Sequence, residues 1–226
     1  MYLETVTGKV VNVVEPSPDQ ICIEDIGWGL SRMPRFCGHT ITEVPYNVAQ
    51  HSVFVAIEVQ NIFKNLDCDL VDYPELKPLL KEIRNLHAAA AEPTRTILLA
   101  ALHDGSEIYT GDIPSPVKQI PELRAIIKKI EHKLMNAIYQ AFNLPEPTEL
   151  QEKIIKHADK IAQKIEAHAF MQSRGNNWPN MPNVSLEKLQ KFEAPMPSLD
   201  AYKSFMAFFE QYYNKYLTEL SKVSSQ

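Results

Sequence analysis

Residues Ile97-Leu98-Leu99-Ala100-Ala101-Leu102 form an unbroken apolar run that ends in the adjacent pair His103-Asp104. Such a run reads as a buried element. Pro93 near its start and Gly105 just past the pair favour a helix over a strand, with Thr94 or Glu92 as the candidate cap. The chain therefore carries an imidazole and a carboxylate to the end of a core element, where burial without partners costs roughly several kcal/mol. A metal ion would remove that penalty. Alone, the pair also suits a satisfied helix terminus, since His favours the negative end of a helix and Asp-Gly favours a turn. The sequel shifts the balance: Glu107 follows His103 by four positions, and Asp112 follows in Tyr109-Thr110-Gly111-Asp112-Ile113-Pro114-Ser115-Pro116.

Charge and composition narrow the class. A formal net charge of −5 over 226 residues argues against stable nucleic-acid binding or a broad membrane footprint, while leaving room for a local basic pocket. At 45% hydrophobic and 23% charged, the chain has the balance of a soluble globular protein able to bury one sizeable core. Cys22, Cys37 and Cys68 form no CxxC pair, so neither a zinc ribbon nor a disulfide framework is expected. With no secretion signal at Met1-Tyr2-Leu3 and no apolar stretch of membrane-spanning length, the expected compartment is cytoplasmic.

The periodicity predicts a mainly α chain with a small hairpin at its front, acting as a single domain over 1–226. Val6 to Val14 and Gln20-Ile21-Cys22-Ile23 read as the hairpin strands, joined by Glu15-Pro16-Ser17-Pro18-Asp19. Glu24 to Arg32 is a short helix, and Arg35 to Thr40 a loop. Asn47 caps a helix whose apolar stripe holds Val48, His51, Val55, Ala56 and Val59. Asn65 to Pro74 reads as an exposed acidic loop. Leu76, Leu79, Leu80, Ile83 and Leu86 mark an amphipathic helix that the run Ala88 to Ala91 extends. A long helix starts at Pro121 and ends near Asn143, its outer side bearing Arg124, Lys128 and Lys129. Leu150, Ile154, Ile155, Ala158, Ile161, Ala162 and Ile165 define another, with Asp159 at the edge of the stripe. Trp178 to Pro182 is loop. The C-terminal helix carries an aromatic stripe from Tyr202 to Leu217, suited to a core or to a homo-oligomer contact.

His51, His103, Asp104 and Asp159 thus come from three helices, and bundles can converge such residues on one cation. Two imidazoles with two carboxylates suit zinc, manganese, cobalt or iron better than calcium.

The order H…HD…D, with His-Asp-Gly-Ser-Glu followed by Thr-Gly-Asp-Ile-Pro-Ser-Pro, resembles the HD-domain phosphohydrolases, particularly their 5'-deoxynucleotidase branch. Arg35-Phe36-Cys37-Gly38-His39, Tyr46-Asn47-Val48-Ala49-Gln50-His51-Ser52 and Lys156-His157-Ala158-Asp159 are similar to bacteriophage and prophage members, whose relatives include a phage dATP triphosphohydrolase. The likeness runs from about Glu4 to the C-terminal helix, with a longer segment than usual over about 61–92.

The resemblance implies an HD-domain helical bundle, with His51, His103, Asp104 and Asp159 as ligands of one divalent metal. Glu107 would handle the proton of the attacking water, and Asp112 would orient water or substrate. Arg35 would contact phosphate, Phe36 would pack on the nucleoside, and Lys118 is a weaker phosphate candidate. Magnesium would accompany the substrate's phosphates. The implied reaction is hydrolysis of a free 2'-deoxynucleotide at its 5' phosphate ester, with dATP cleaved to deoxyadenosine and triphosphate as the first expectation. Monophosphate hydrolysis and a non-catalytic nucleotide-binding module are the alternatives. A phage-encoded copy would work in the host cytoplasm. His87, His132, His157 and His168 are expected to serve structure or solvent.

Overall fold

A computed structural model describes residues 1–176, 178–179 and 181–224; of the loop expected over Trp178 to Pro182, Asn180 lies outside the described residues. The fold class is mainly α. In chain order the elements are β1 (Tyr2–Glu4), β2 (Val10–Asn12), α1 (Ile23–Arg32), α2 (Val48–Lys64), α3 (Leu80–Ala88), α4 (Glu92–Ala101), α5 (Glu107–Thr110), α6 (Ser115–Lys118), α7 (Pro121–Ala141), α8 (Glu149–Phe170), α9 (Leu186–Leu189) and α10 (Ser198–Ser224). The residues cluster in two compact units. One holds Met1–Gln50, His103–Glu146 and Ala194–Met206; the other holds His51–Leu102, Pro147–Glu193 and the chain from Ala207 onward.

In the first unit the hairpin is present, but with other strands than the Val-rich pattern predicts. β1 pairs antiparallel with β2, Leu3 opposite Val11. The turn lies at Thr5–Lys9, where Gly8 supplies a φ of +83°. Residues beyond Asn12 do not form a second strand, because the Gln20 side-chain oxygen accepts the backbone N–H of both Asn12 (3.1 Å) and Ser17 (3.2 Å). That folds the Pro-containing segment back as a turn. Strands of three residues cannot hold themselves. Asp25 on α1 anchors them: its carboxylate accepts from Thr5 Oγ1 (2.7 Å), Thr7 N (2.9 Å), Thr7 Oγ1 (2.7 Å) and Cys22 Sγ (3.0 Å).

The segment before α2 is pinned by short-range pairing. Pro34 bridges to Asn47, Arg35 N donates to Tyr46 O (2.7 Å), and Val48 N donates to Met33 O (3.0 Å). Asn47 is the expected cap, its Oδ1 accepting Gln50 N at 3.0 Å. The long helix α7 buries Leu134 and Ile138 but leaves Leu123 and Ile126 40% and 59% exposed.

In the second unit α4 packs against α3 and α8, and each of its residues from Thr94 to Ala101 is buried. Neither expected cap serves. Ala91, at φ +63°, precedes the helix, and Glu92 and Pro93 open it, where a missing proline N–H costs nothing. The alanine run does not extend α3: Ala89 is extended and Ala91 left-handed, and the preceding Leu76 segment is a 3-10 turn. Ala91 is buried, so packing overrides the high helix propensity of alanine. The acidic segment from Asn65 to Pro74 is not wholly exposed, since Leu66, Leu70 and Tyr73 are core residues. α8 starts in a capping box, Thr148 with Gln151. On the part of α10 in this unit, Phe209 and Tyr216 are buried, while Leu217 and Val223 face solvent. Among the described residues no helix is long and apolar enough to cross a membrane.

Burial pushes the Asp25 carboxyl up, but the bonds from Cys22, Thr7 and Thr5 outweigh it and hold it below the usual carboxylate range. A lowered folded value means stability that is full above the unfolded pKa, near ~3.9, and lost as pH falls through the folded one. Urea titration of Asp25→Asn should show a loss of about 1–3 kcal/mol at pH 7. The gap from wild type should narrow below about pH 4.

Candidate active site

The first unit contains the His-Asp pair with five of the other nominated residues. The chain leaves α4 at Leu102, whose N–H still bonds Leu98 O, and turns through His103 and Asp104 into α5. His103 Nε2 lies 3.2 Å from Asp104 Oδ1. Glu107 N donates to Asp104 O (2.9 Å), so the proton-handling candidate is carried on the same turn as the pair. Arg35 is buried, its Nη1 3.8 Å from Asp104 Oδ2 and its guanidinium 5.5 Å from the Phe36 ring. Phe36 and Cys37 hold φ values of +54° and +53°, a left-handed turn that costs a non-glycine residue about 1 kcal/mol or more. The pairing of 33–35 with 46–48 sustains it and presents Arg35 and Phe36 together.

Glu107 is buried, with Oε1 3.1 Å from Lys118 Nζ and no hydrogen-bond partner at Oε2. Lys118 in turn bonds Glu131 at 2.9 Å. Burial, then Asp104 and then Asp112, outweigh the lysine and push the Glu107 carboxyl up to about 8. Oε2 is therefore an atom that can keep a proton at neutral pH and part with it. Lys118, nominated for phosphate, is held between two carboxylates.

α1 sets the position of this turn. Gly29 faces Ile108, the residue after Glu107, so closely that a Cβ at position 29 would lie 2.5 Å from Ile108 Cγ2 and 2.6 Å from its Cβ. Gly27 faces the ring of Tyr202, which stacks on Trp28 with centroids 4.1 Å apart.

The second unit brings His51 and Asp159 together. His51, on α2, has no solvent exposure; its Nε2 is 3.2 Å from Asp159 Oδ1 on α8, and its Nδ1 is 2.7 Å from Glu166 Oε1. Glu166 is as fully buried as His51, and the sequence pattern alone does not single it out. Its one sequence signal is position: it follows Asp159 by seven residues, two helical turns, and sits directly after Ile165 on the apolar stripe of α8. His157 points elsewhere, toward Glu75 at 3.8 Å.

The donors present fit a first-row divalent cation. Metal–ligand bonds of about 2.1 Å place adjacent ligands roughly 3.0–3.4 Å apart. Each unit offers one imidazole Nε2 and one carboxylate oxygen at 3.2 Å. With Nδ1 of His51 taken by Glu166, Nε2 is the nitrogen left to donate.

A mainly helical chain with a His-Asp pair closing a buried helix, and a second His-Asp set on two further helices, has the makings of an HD-domain protein. The profile of the YfbR-like 5'-deoxynucleotidases matches residues 76–213. The chain belongs to that family, within the HD-domain superfamily, and membership makes it a metal-dependent nucleotide phosphohydrolase. The match covers His103, Asp104, Glu107, Asp112, Lys118 and Asp159; Arg35, Phe36 and His51 precede it. The chain is 26% identical over 222 residues to the uncharacterized protein YfdR of Escherichia coli K12, covering 98% of both chains. It is 30% identical to an uncharacterized protein of Rhodobacter capsulatus, covering 71% of this chain and 68% of that one. To a 5'-deoxynucleotidase of Vibrio parahaemolyticus it is 32% identical over 130 residues, 52% of this chain and 58% of the relative.

Gly29→Ala should force the Glu107 turn outward, costing about 1–3 kcal/mol of stability by overpacking and lowering nucleotide hydrolysis. Adding Ile108→Ala should restore both, as measured by thermal melts and turnover of the double variant. Ile108→Ala alone would show what the lost side chain itself costs.

Proposed function

We propose that the protein hydrolyses free 2'-deoxynucleotides at the 5' phosphate ester, with deoxynucleoside monophosphates as the principal substrates. The observation that carries this reading is the buried Glu107, held proton-ready beside the His103-Asp104 pair in a chain of the 5'-deoxynucleotidase family. In this proposal His51, His103 and Asp159, with Asp104, hold one divalent transition metal, and the whole chain acts as one catalytic domain on a cytoplasmic pool. When bound, such a cation polarises a phosphoryl oxygen and makes water more acidic.

The remaining roles fall to this chain's own side chains. Arg35 meets the phosphate, and Phe36, beside it, offers an aromatic face to the nucleoside. Glu107 Oε2 exchanges the proton that passes between the attacking water and the leaving 5' oxygen, and Asp112 helps hold water in line. The dATP triphosphohydrolase reading remains a second arm. The phosphate-site charges favour the monophosphate: Arg35 is engaged by Asp104 and Lys118 by Glu107 and Glu131. A single phosphate of about −2 suits that balance better than a triphosphate.

Product chromatography after incubation with each dNMP, each dNTP and the matching ribonucleotides, in manganese or cobalt, tests this. Phosphate and deoxynucleoside from dNMPs are expected. Deoxyadenosine with intact triphosphate from dATP alone would replace the monophosphate reading. No hydrolysis by metal-loaded protein would make the chain a nucleotide-binding module instead. His51→Ala should lose both metal and activity, whereas Glu107→Ala should keep metal and lose about 10²–10⁴-fold in kcat.

A further inference from the structure

Glu166 occupies a position where a carboxylate is expensive. It has no solvent exposure and follows Ile165 on the buried stripe of α8, so its charge must be compensated there. Its Oε1 lies 2.7 Å from Nδ1 of His51, the length of a charge-assisted hydrogen bond. A carboxylate has no proton to give, so the hydrogen of this bond belongs to Nδ1. Nε2, 3.2 Å from Asp159 Oδ1, then keeps its lone pair for a cation. A neutral imidazole otherwise divides between two tautomers and turns about its Cβ–Cγ bond. The short bond to Glu166 removes both freedoms.

We propose that Glu166 is a positioning residue of the metal centre: through Nδ1–H it sets the tautomer and ring plane of His51, and its negative charge makes Nε2 a stronger donor. The proposal rests on the metal reading above, because it concerns the affinity of the same cation. It assigns Glu166 more than the stapling of α2 to α8, and the two roles part on measurement. A staple alone would lower the melting temperature and leave metal affinity as it was.

The test combines two readouts on the full chain. Long-range proton–nitrogen correlation spectra of the metal-free wild type report the His51 tautomer, and calorimetric titration with manganese or cobalt reports affinity for wild type, Glu166→Gln and Glu166→Leu. The Nδ1–H tautomer is expected, with affinity about 10–100-fold weaker in Glu166→Leu. Glu166→Gln, whose amide oxygen still accepts Nδ1–H without the charge, should fall between. It also carries the test if the leucine variant does not fold. An Nε2–H tautomer in the wild type, or unchanged affinity in the folded variants, would overturn the proposal. A wild type that binds neither cation would defeat the metal reading itself and this proposal with it, a result distinct from any tautomer found without metal.

Discussion

A helix buried on every side can offer chemistry only at its ends, and α4 is such a helix. From Thr94 to Ala101 every residue is buried, so its few polar groups must be answered inside. Arg95 Nη2 donates to Glu92 (2.7 Å) and to Gln151 Oε1 (2.9 Å), while Gln151 Nε2 donates to Thr96 Oγ1 at 2.8 Å. That network ties the first turns of α4 and α8 together. The other end of α4 carries the partial negative charge of unsatisfied carbonyls, and there the chain places His103.

The electrostatics of the two units follow one pattern. In each, a histidine nitrogen meets a carboxylate, and further carboxylates stand close by: Glu107 and Asp112 in one, Glu166 in the other. So much negative charge, most of it at low exposure, is unfavourable by itself. It is moderated in part by Arg35 and Lys118, and in part by Glu107 retaining its proton. A divalent cation would offset the balance left over, in keeping with the chemistry of the family.

What the sequence reveals, and what it hides, has a physical basis. The apolar run before His103 is legible because it has no polar face, and His51 stands out as an imidazole within an apolar stripe. Asp159 is visible at a stripe's edge. Glu166 is not, because a third glutamate in a helix with lysines at 153, 156, 160 and 164 looks like one more solvated charge; only the partner 115 residues away explains it. Sequence pattern places the hairpin on the wrong strands, because β propensity marks Val10 to Val14 without saying where the chain turns. Gly8 and the Gln20 side chain decide that. The end of α3 has no local signature at all, since four alanines favour the helix that packing interrupts.

The contact between Gly29 and Ile108 reaches beyond this one molecule. With no methyl-sized gap between α1 and the turn bearing Glu107, position 29 cannot gain a side chain while Ile108 keeps its own. A lineage that gains a side chain at 29 must first, or at once, give up volume at 108. The two sites are thus bound to drift as a pair, and a step taken at 108 alone is the one that opens the way.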